Sequence, residues 1–255
     1  MRITFLGTGT SHGIPVIGCH CPVCTSSDVH DKRYRSSILI EKDGTSVVID
    51  TGYEFRLQAL RAGIDSLDAV LYTHSHSDHL AGLDDLRVFT DDEKLPVYST
   101  QSVLDSISRI FPYAFHDMPY KGVPRLKPAA IEEHGTFTIG SLSFTLIPVM
   151  HGCMRIAGYR FGSSAYITDV SDMLFDENER YLSGVRTLII GALRDKPHWS
   201  HFTFEEAYAA AKRIGAEKAY FTHISHATLY SDINKRFAPY AESAYDNLVL
   251  EVDDE

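Results

Sequence analysis

Thr73 to Leu80 reads Thr-His-Ser-His-Ser-Asp-His-Leu, which puts His74, His76, Asp78 and His79 within six residues. Imidazole nitrogens and carboxylate oxygens are ligands for zinc, manganese or iron. On an extended segment alternate residues share a face, so His74 and His76 point one way while Asp78 and His79 diverge. One short loop then carries ligands for two ions. The preceding residues, Leu67 to Thr73, are apolar and β-prone, and His79 to Leu83 turn helical. The cluster therefore belongs at the carboxyl end of a strand, where α/β folds place their sites. A solvated polar loop is the plain alternative, and the crowding of four N/O ligands at one strand end weighs against it.

A second cluster lies upstream in Gly18-Cys19-His20-Cys21-Pro22-Val23-Cys24. Thiols this close in sequence cannot cross-link without strain, but Cys19, Cys21 and Cys24 are spaced to wrap one tetrahedral zinc. A closed structural site fills the fourth position with histidine, and His20, His30, His12 or a more distant one would serve. A redox or merely buried cluster competes with this reading. Cys153 reads as a packed or site-lining free thiol.

Other strand-like runs stop at a histidine or an aspartate. Leu142 to Met150 runs into His151, Ser164 to Thr168 into Asp169, and Lys218 to Thr222 into His223. Val47-Val48-Ile49 runs into Asp50-Thr51-Gly52, which is also the tripeptide of aspartic proteases; only one copy is present, and an internal dyad needs two. Gly7 to Gly13 looks like a dinucleotide fingerprint, but its third glycine is out of register and no helix opens there, so it reads as a turn approaching the metal site.

The elements that must position these residues alternate in two like halves. Strands are expected at Arg2 to Gly7, Ser37 to Glu41 and Ser46 to Ile49, the last two joined by the hairpin signal Lys42-Asp43-Gly44. The second half has hairpin strands at Thr136 to Ile139 and Leu142 to Pro148, and two more at Ile156 to Phe161 and Ser164 to Thr168. Helix, strand, helix and strand follow. Phe204, Ala207, Tyr208, Ala211 and Ile214 form the apolar stripe of a helix over Thr203 to Ile214. Two such halves predict an α/β fold, an αββα sandwich of two mixed sheets flanked by helices, as a single domain over 1–255.

At 255 residues and 44% hydrophobic, the chain is ample for one large core. No apolar run approaches bilayer-spanning length, and no signal-peptide pattern follows Met1, so a cytoplasmic protein without membrane contact is expected. A formal charge of −10 weighs against extended nucleic-acid binding, which runs on lysine and arginine. It leaves room for a small phosphorylated substrate. The tail Glu251 to Glu255 reads as a solvated end. His12, His20, His30, His116, His134 and His198 read as surface or packing residues.

His-x-His-x-Asp-His after a hydrophobic strand resembles the signature of the metallo-β-lactamase superfamily along nearly the whole chain. The resemblance implies a first metal on His74, His76 and His151, a second on Asp78, His79 and His223, and Asp169 as the bridge. It implies that Asp50 supports the ligands by hydrogen bonding. Cys-x-Cys-x-x-Cys after the first glycine-rich turn, with Thr222-His223-Ile224-Ser225-His226, is similar to the PhnP-type cyclic-phosphate phosphodiesterases of the tRNase Z-related branch, which implies that His226 completes the zinc. His201-Phe202-Thr203-Phe204-Glu205-Glu206-Ala207 resembles an element shared with transfer-RNA 3′ processing ribonucleases, whose histidine faces the substrate; His201 is thus the expected general acid, with a plain helix-capping neighbour as its alternative.

The implied activity is hydrolysis of small cyclic ribose or nucleotide phosphodiesters. Two divalent ions, manganese, zinc or iron, hold a bridging water and lower its pKa, beside one structural zinc. Two other functions stay in view. A transfer-RNA 3′ processing endonuclease would carry a basic, glycine-rich arm that this sequence lacks, and a PqqB-like carrier would have a depleted ligand set. The expected partners are a small phosphodiester and a second copy of the chain.

Overall fold

The computed structural model describes residues 1–90, 93–116 and 122–253. Its strands are β1 (Arg2–Gly7), β2 (Ser37–Lys42), β3 (Thr45–Ile49), β4 (Ala69–Leu71), β5 (Leu95–Ser99), β6 (Leu126–Ala130), β7 (Thr136–Ile139), β8 (Leu142–His151), β9 (Met154–Phe161), β10 (Ser164–Ile167), β11 (Thr187–Gly191), β12 (Lys218–Thr222), β13 (Ala241–Ser243) and β14 (Val249–Glu251). They form two seven-stranded sheets, ordered β14-β1-β2-β3-β4-β5-β6 and β13-β12-β11-β10-β9-β8-β7. In each, a stretch of antiparallel hairpin strands gives way to parallel strands.

Alternation along each strand sorts side chains between layers. Ile38, Ile40, Val47 and Ile49 face the second sheet, where they meet Leu146, Tyr159 and Tyr166. Leu39 and Val48 face outward under a helical layer that contributes Phe55, Leu83 and Leu104. On the far side, Ala165, Ile167 and Ile190 pack under Phe204, Ala207 and Phe237. Three apolar interlayers between four layers make the αββα sandwich. Burial of each large side chain contributes about 1.5–3 kcal/mol against the entropy of ordering.

The hairpin between β2 and β3 is tighter than its sequence signal suggests. Lys42 pairs with Thr45, leaving a two-residue turn of Asp43 and Gly44, both at positive φ (45° and 81°), the geometry that matches strand twist. Strand β4 is shorter than expected, and the chain after His76 turns into a short helix over Ser77–Leu80, so Asp78 and His79 diverge through helical rather than extended geometry. His151 is the last residue of β8 rather than the residue beyond it.

One reading is corrected and one refined. Cys153 is exposed, because it occupies the turn between His151 and Met154. Part of the acidic tail is structured: Glu251 pairs with Arg2, and Val252 donates its amide to Met1, so the tail begins as an edge strand. Asp254 and Glu255 lie outside the described residues. Among the described residues, no helix is long and apolar enough to cross a membrane.

Candidate active site and zinc centre

Five strand ends converge. Asp50 follows β3, Thr73 and His74 follow β4, His151 ends β8, Asp169 follows β10 and His223 follows β12. Asp50, Asp169 and His223 all take left-handed backbone conformations, at φ 65°, 52° and 57°. Such a residue turns the chain sharply as it leaves the strand; aspartate and histidine tolerate this better than most side chains.

His74, His76 and His151 bring one ring nitrogen each into a common cluster, and Asp78, His79, Asp169 and His223 form a second. The Asp169 carboxylate lies between them. Its oxygens stand 3.2 Å from Nε2 of His79 and 3.2 Å from Nε2 of His223, and 4.0 Å from Nε2 of both His74 and His151. Within the second cluster, Nε2 of His79 and His223 lie 3.3 and 3.6 Å from Asp78. Ligands about 2.0–2.1 Å from a tetrahedral ion stand about 3.3 Å apart, so this donor spacing fits. The orphan atoms agree. Nε2 of His74 and both ring nitrogens of His223 are buried without a hydrogen-bond partner, which costs about 1–3 kcal/mol each unless an ion or water takes them up.

Asp50 is fully buried and governs two of these rings. One of its oxygens accepts from the Thr73 amide at 2.8 Å, and the other accepts from the Thr73 hydroxyl at 2.8 Å and from Nδ1 of His79 at 2.7 Å. The Thr73 hydroxyl has spent its proton on Asp50, so at 3.0 Å it must accept from Nδ1 of His74. Both histidines thereby turn Nε2 into the site; for His79, burial is outweighed by the carboxylates of Asp169, Asp78 and Asp50, which favour a positive charge there that a metal ion would supply in place of a proton. Thr73 is a functional residue that motif reading missed; its only signal was its place directly before His74. His151 is fixed in the same sense, with Nδ1 donating to the Ser200 carbonyl at 2.7 Å. Replacing Asp50 with Asn removes an acceptor while keeping size and backbone preference, and competitive chelator titration should show metal affinity lower by about 10–100-fold. Unchanged affinity would deny Asp50 this orienting role.

Electrostatics follow from the crowding. Burial alone would raise Asp169, but His223 and His79 pull it well below the usual carboxylate range. Burial drives His74 far down, favouring the neutral imidazole that metals require. His201 lies 3.9 Å through Nδ1 from Asp169, with ring centroids 4.6 Å from His151 and 4.9 Å from His223. Burial first, then His223, pushes it down to about 3 against the pull of Asp169. It is not a cap: Thr203 caps the helix Phe204–Ile214 and forms a reciprocal capping box with Glu206, worth about 1 kcal/mol. Phe202 donates its amide to Val170 and accepts from Leu193, which holds His201 beside Asp169.

The cysteine loop closes on the same side of the fold. Sγ of Cys19, Cys21 and Cys24 lie 3.3, 3.4 and 3.6 Å from Nδ1 of His226. A tetrahedral zinc with sulfur at 2.3 Å and nitrogen at 2.0–2.1 Å separates those atoms by about 3.5 Å. Burial would raise the Cys21 thiol, but the Cys24 amide, His226 and the neighbouring thiols bring it down to about 6, the direction that favours a thiolate ligand, while burial and the other two thiols hold Cys24 up at about 11. Of the other histidines weighed for this position, His12 and His20 are exposed and His30 is bonded to Asp28 at 2.7 Å. The glycine-rich turn reaches the site as expected: Thr8 and Thr10 pair with Ile224, between His223 and His226.

The Beta-lactamase superfamily domain family matches residues 45–224, a span that holds both N/O clusters and His201. A crystal structure of a diphosphatase from the PhnP family superposes with a TM-score of 0.91 at 38% identity, covering 99% of this chain and 98% of that one. The chain belongs to the metallo-β-lactamase superfamily, in its PhnP family. Zinc-bound PqqB from Methylobacterium extorquens shares the metallo-β-lactamase fold at a TM-score of 0.81 and 21% identity, over 99% of this chain and 100% of that one. A Porphyromonas gingivalis protein named octanoyltransferase is 44% identical over 100% of this chain but only 52% of its own length. The chain thus spans about half of that relative, whose named activity stays with the longer protein. Metallo-β-lactamase membership supports a metal-dependent hydrolase, and both clusters described above could hold ions.

Proposed function

We propose that this metallo-β-lactamase-fold chain hydrolyses small phosphodiesters, cyclic ribose or nucleotide diesters among them, at a two-metal site. The observation that carries this reading is the Asp169 carboxylate placed between two ligand clusters, with His201 beside it and near enough to His151 and Asp169 to form a further group of possible ligands. Divalent ions held there, manganese, zinc or iron, would supply Lewis acidity toward the phosphoryl oxygens and a water acidic enough to attack at neutral pH. The chain's own residues do the rest. Asp50, Thr73 and Ser200 hold the imidazoles in the liganding tautomer, and Asp78 and Asp169 offset the cations.

His201 begins as a neutral imidazole, because burial and neighbouring histidines disfavour its charge. An anionic diester docking against it supplies a counter-charge, which favours the ring taking up a proton from solvent and passing it to the departing alkoxide. The structural zinc belongs to Cys19, Cys21, Cys24 and His226, which share no residue with the active site.

A net charge of −10 supports a small substrate over a transfer-RNA precursor, and the full ligand set supports catalysis over a PqqB-like carrier role. The diphosphatase neighbour favours a second substrate to be assayed in parallel, a phosphoanhydride. With metal-replete protein, hydrolysis of 2′,3′-cyclic nucleotides and bis(p-nitrophenyl) phosphate should far exceed cleavage of a transfer-RNA precursor. Efficient precursor cleavage with no turnover of cyclic nucleotides would reverse the assignment.

A further inference from the structure

Trp199 is the chain's single tryptophan, and 73% of it is exposed. An indole is a large apolar surface to leave in water, and here its position is fixed rather than loose. The ring sits against Gly152, the residue after His151: a Cβ added there would lie 2.0 Å from Cζ3 and 2.7 Å from Cε3 of Trp199. Only glycine, at φ 60°, leaves room for that contact. The segment is also bolted to the metal cluster, since the next residue, Ser200, accepts the hydrogen bond from Nδ1 of His151. The six-membered ring of the indole therefore rests on backbone beside a metal-cluster residue, while the residue remains mostly open.

From Trp199 a row of rings leads inward. Its centroid is 6.3 Å from that of His198 at an interplanar angle of 32°, His198 is 5.1 Å from His201, and His201 reaches Asp169 at 3.9 Å. Two ring steps, of 6.3 and 5.1 Å, separate the open indole from the proposed proton donor.

We propose that Trp199 is a stacking platform for the nucleobase of the substrate, so that the preferred diester is one bearing an aromatic base. This rests on the phosphodiesterase reading and adds its substrate class. A preorganised flat ring binds any base through its π-face at low entropic cost. It discriminates little among bases, but strongly between a nucleotide and a base-free sugar or glycerol phosphate.

A single tryptophan makes the test direct. In metal-replete protein, adenosine 3′-monophosphate should quench the indole emission saturably, whereas glycerol phosphate and inorganic phosphate should not. Trp199→Ala should lower the preference for 2′,3′-cyclic AMP over glycerol 1,2-cyclic phosphate by about tenfold, chiefly through KM, the size of one base–aromatic stack. Trp199→Phe should restore most of it. Absence of nucleotide quenching, or an Ala variant that keeps its preference while hydrolysing both diesters, overturns the platform and leaves the phosphodiesterase reading standing. Quenching by the nucleotide with neither diester hydrolysed supports the stacking and sinks that parent reading.

Discussion

His201→Ala should lose about two to four orders of magnitude in kcat on a 2′,3′-cyclic nucleotide while keeping its full complement of metal, the loss expected on removing a general acid. The size of the effect should depend on the bond being broken. A ribose alkoxide cannot leave without a proton, whereas p-nitrophenolate can, so the deficit on bis(p-nitrophenyl) phosphate should be much smaller. Paired assays on both substrates, with elemental analysis of the variant, measure this. Equal deficits would mean that His201 binds the phosphoryl group instead of protonating the leaving group, and missing metal would make it a ligand. The low intrinsic basicity of the ring, about 3 through burial and then its histidine neighbours, makes the first distinction sharp.

The second large effect is on folding. Zinc sites of this kind carry apparent binding energies of about 10–16 kcal/mol in isolated peptides, and that energy is folding energy. Here the cysteine loop has little apolar support of its own, a small cluster of Ile14, Val23 and Cys24. Cys21→Ser should therefore drop the metal content from three ions per chain to two and lower the thermal midpoint by about 10 °C or more, the shift expected for a few kcal/mol in a chain of this size. His76→Ala, at an exposed ring, should lower it far less. Calorimetry with parallel metal analysis decides, and a more destabilised His76 variant would contradict the structural role of the thiolates. Activity should suffer too, because His223 and His226 share one short loop.

Much of the site was readable because metal ligands cluster in sequence or end recognisable strands. The Thr73–Leu80 loop, Asp169 and His223 each follow a short apolar, β-prone run that stops just before the polar residues. His226 could be chosen over His12, His20 and His30 only through family resemblance, since its approach to the cysteines is a long-range contact that spacing does not encode. Asp50 was found as a strand-end carboxylate, but its simultaneous grip on Thr73 and His79 exists only once β3 and β4 lie side by side. The exposure of Cys153 is not legible because a turn residue and a packed residue look alike two positions after a ligand. His198 and Trp199 carry no motif; their significance lies in which rings the fold stacks beside them.

The left-handed backbone at Asp50, Asp169 and His223 also limits where this site could go by mutation. Only glycine, asparagine, aspartate and histidine occupy that region readily, and β-branched residues there are true outliers. Single substitutions at these three strand ends can thus exchange carboxylate, carboxamide and imidazole or delete the side chain, but cannot readily install a valine, isoleucine or threonine. Drift toward another chemistry is freer at the extended and helical positions, His74, His76, Asp78 and His79, so the fold itself separates the fixed half of its ligand alphabet from the variable half.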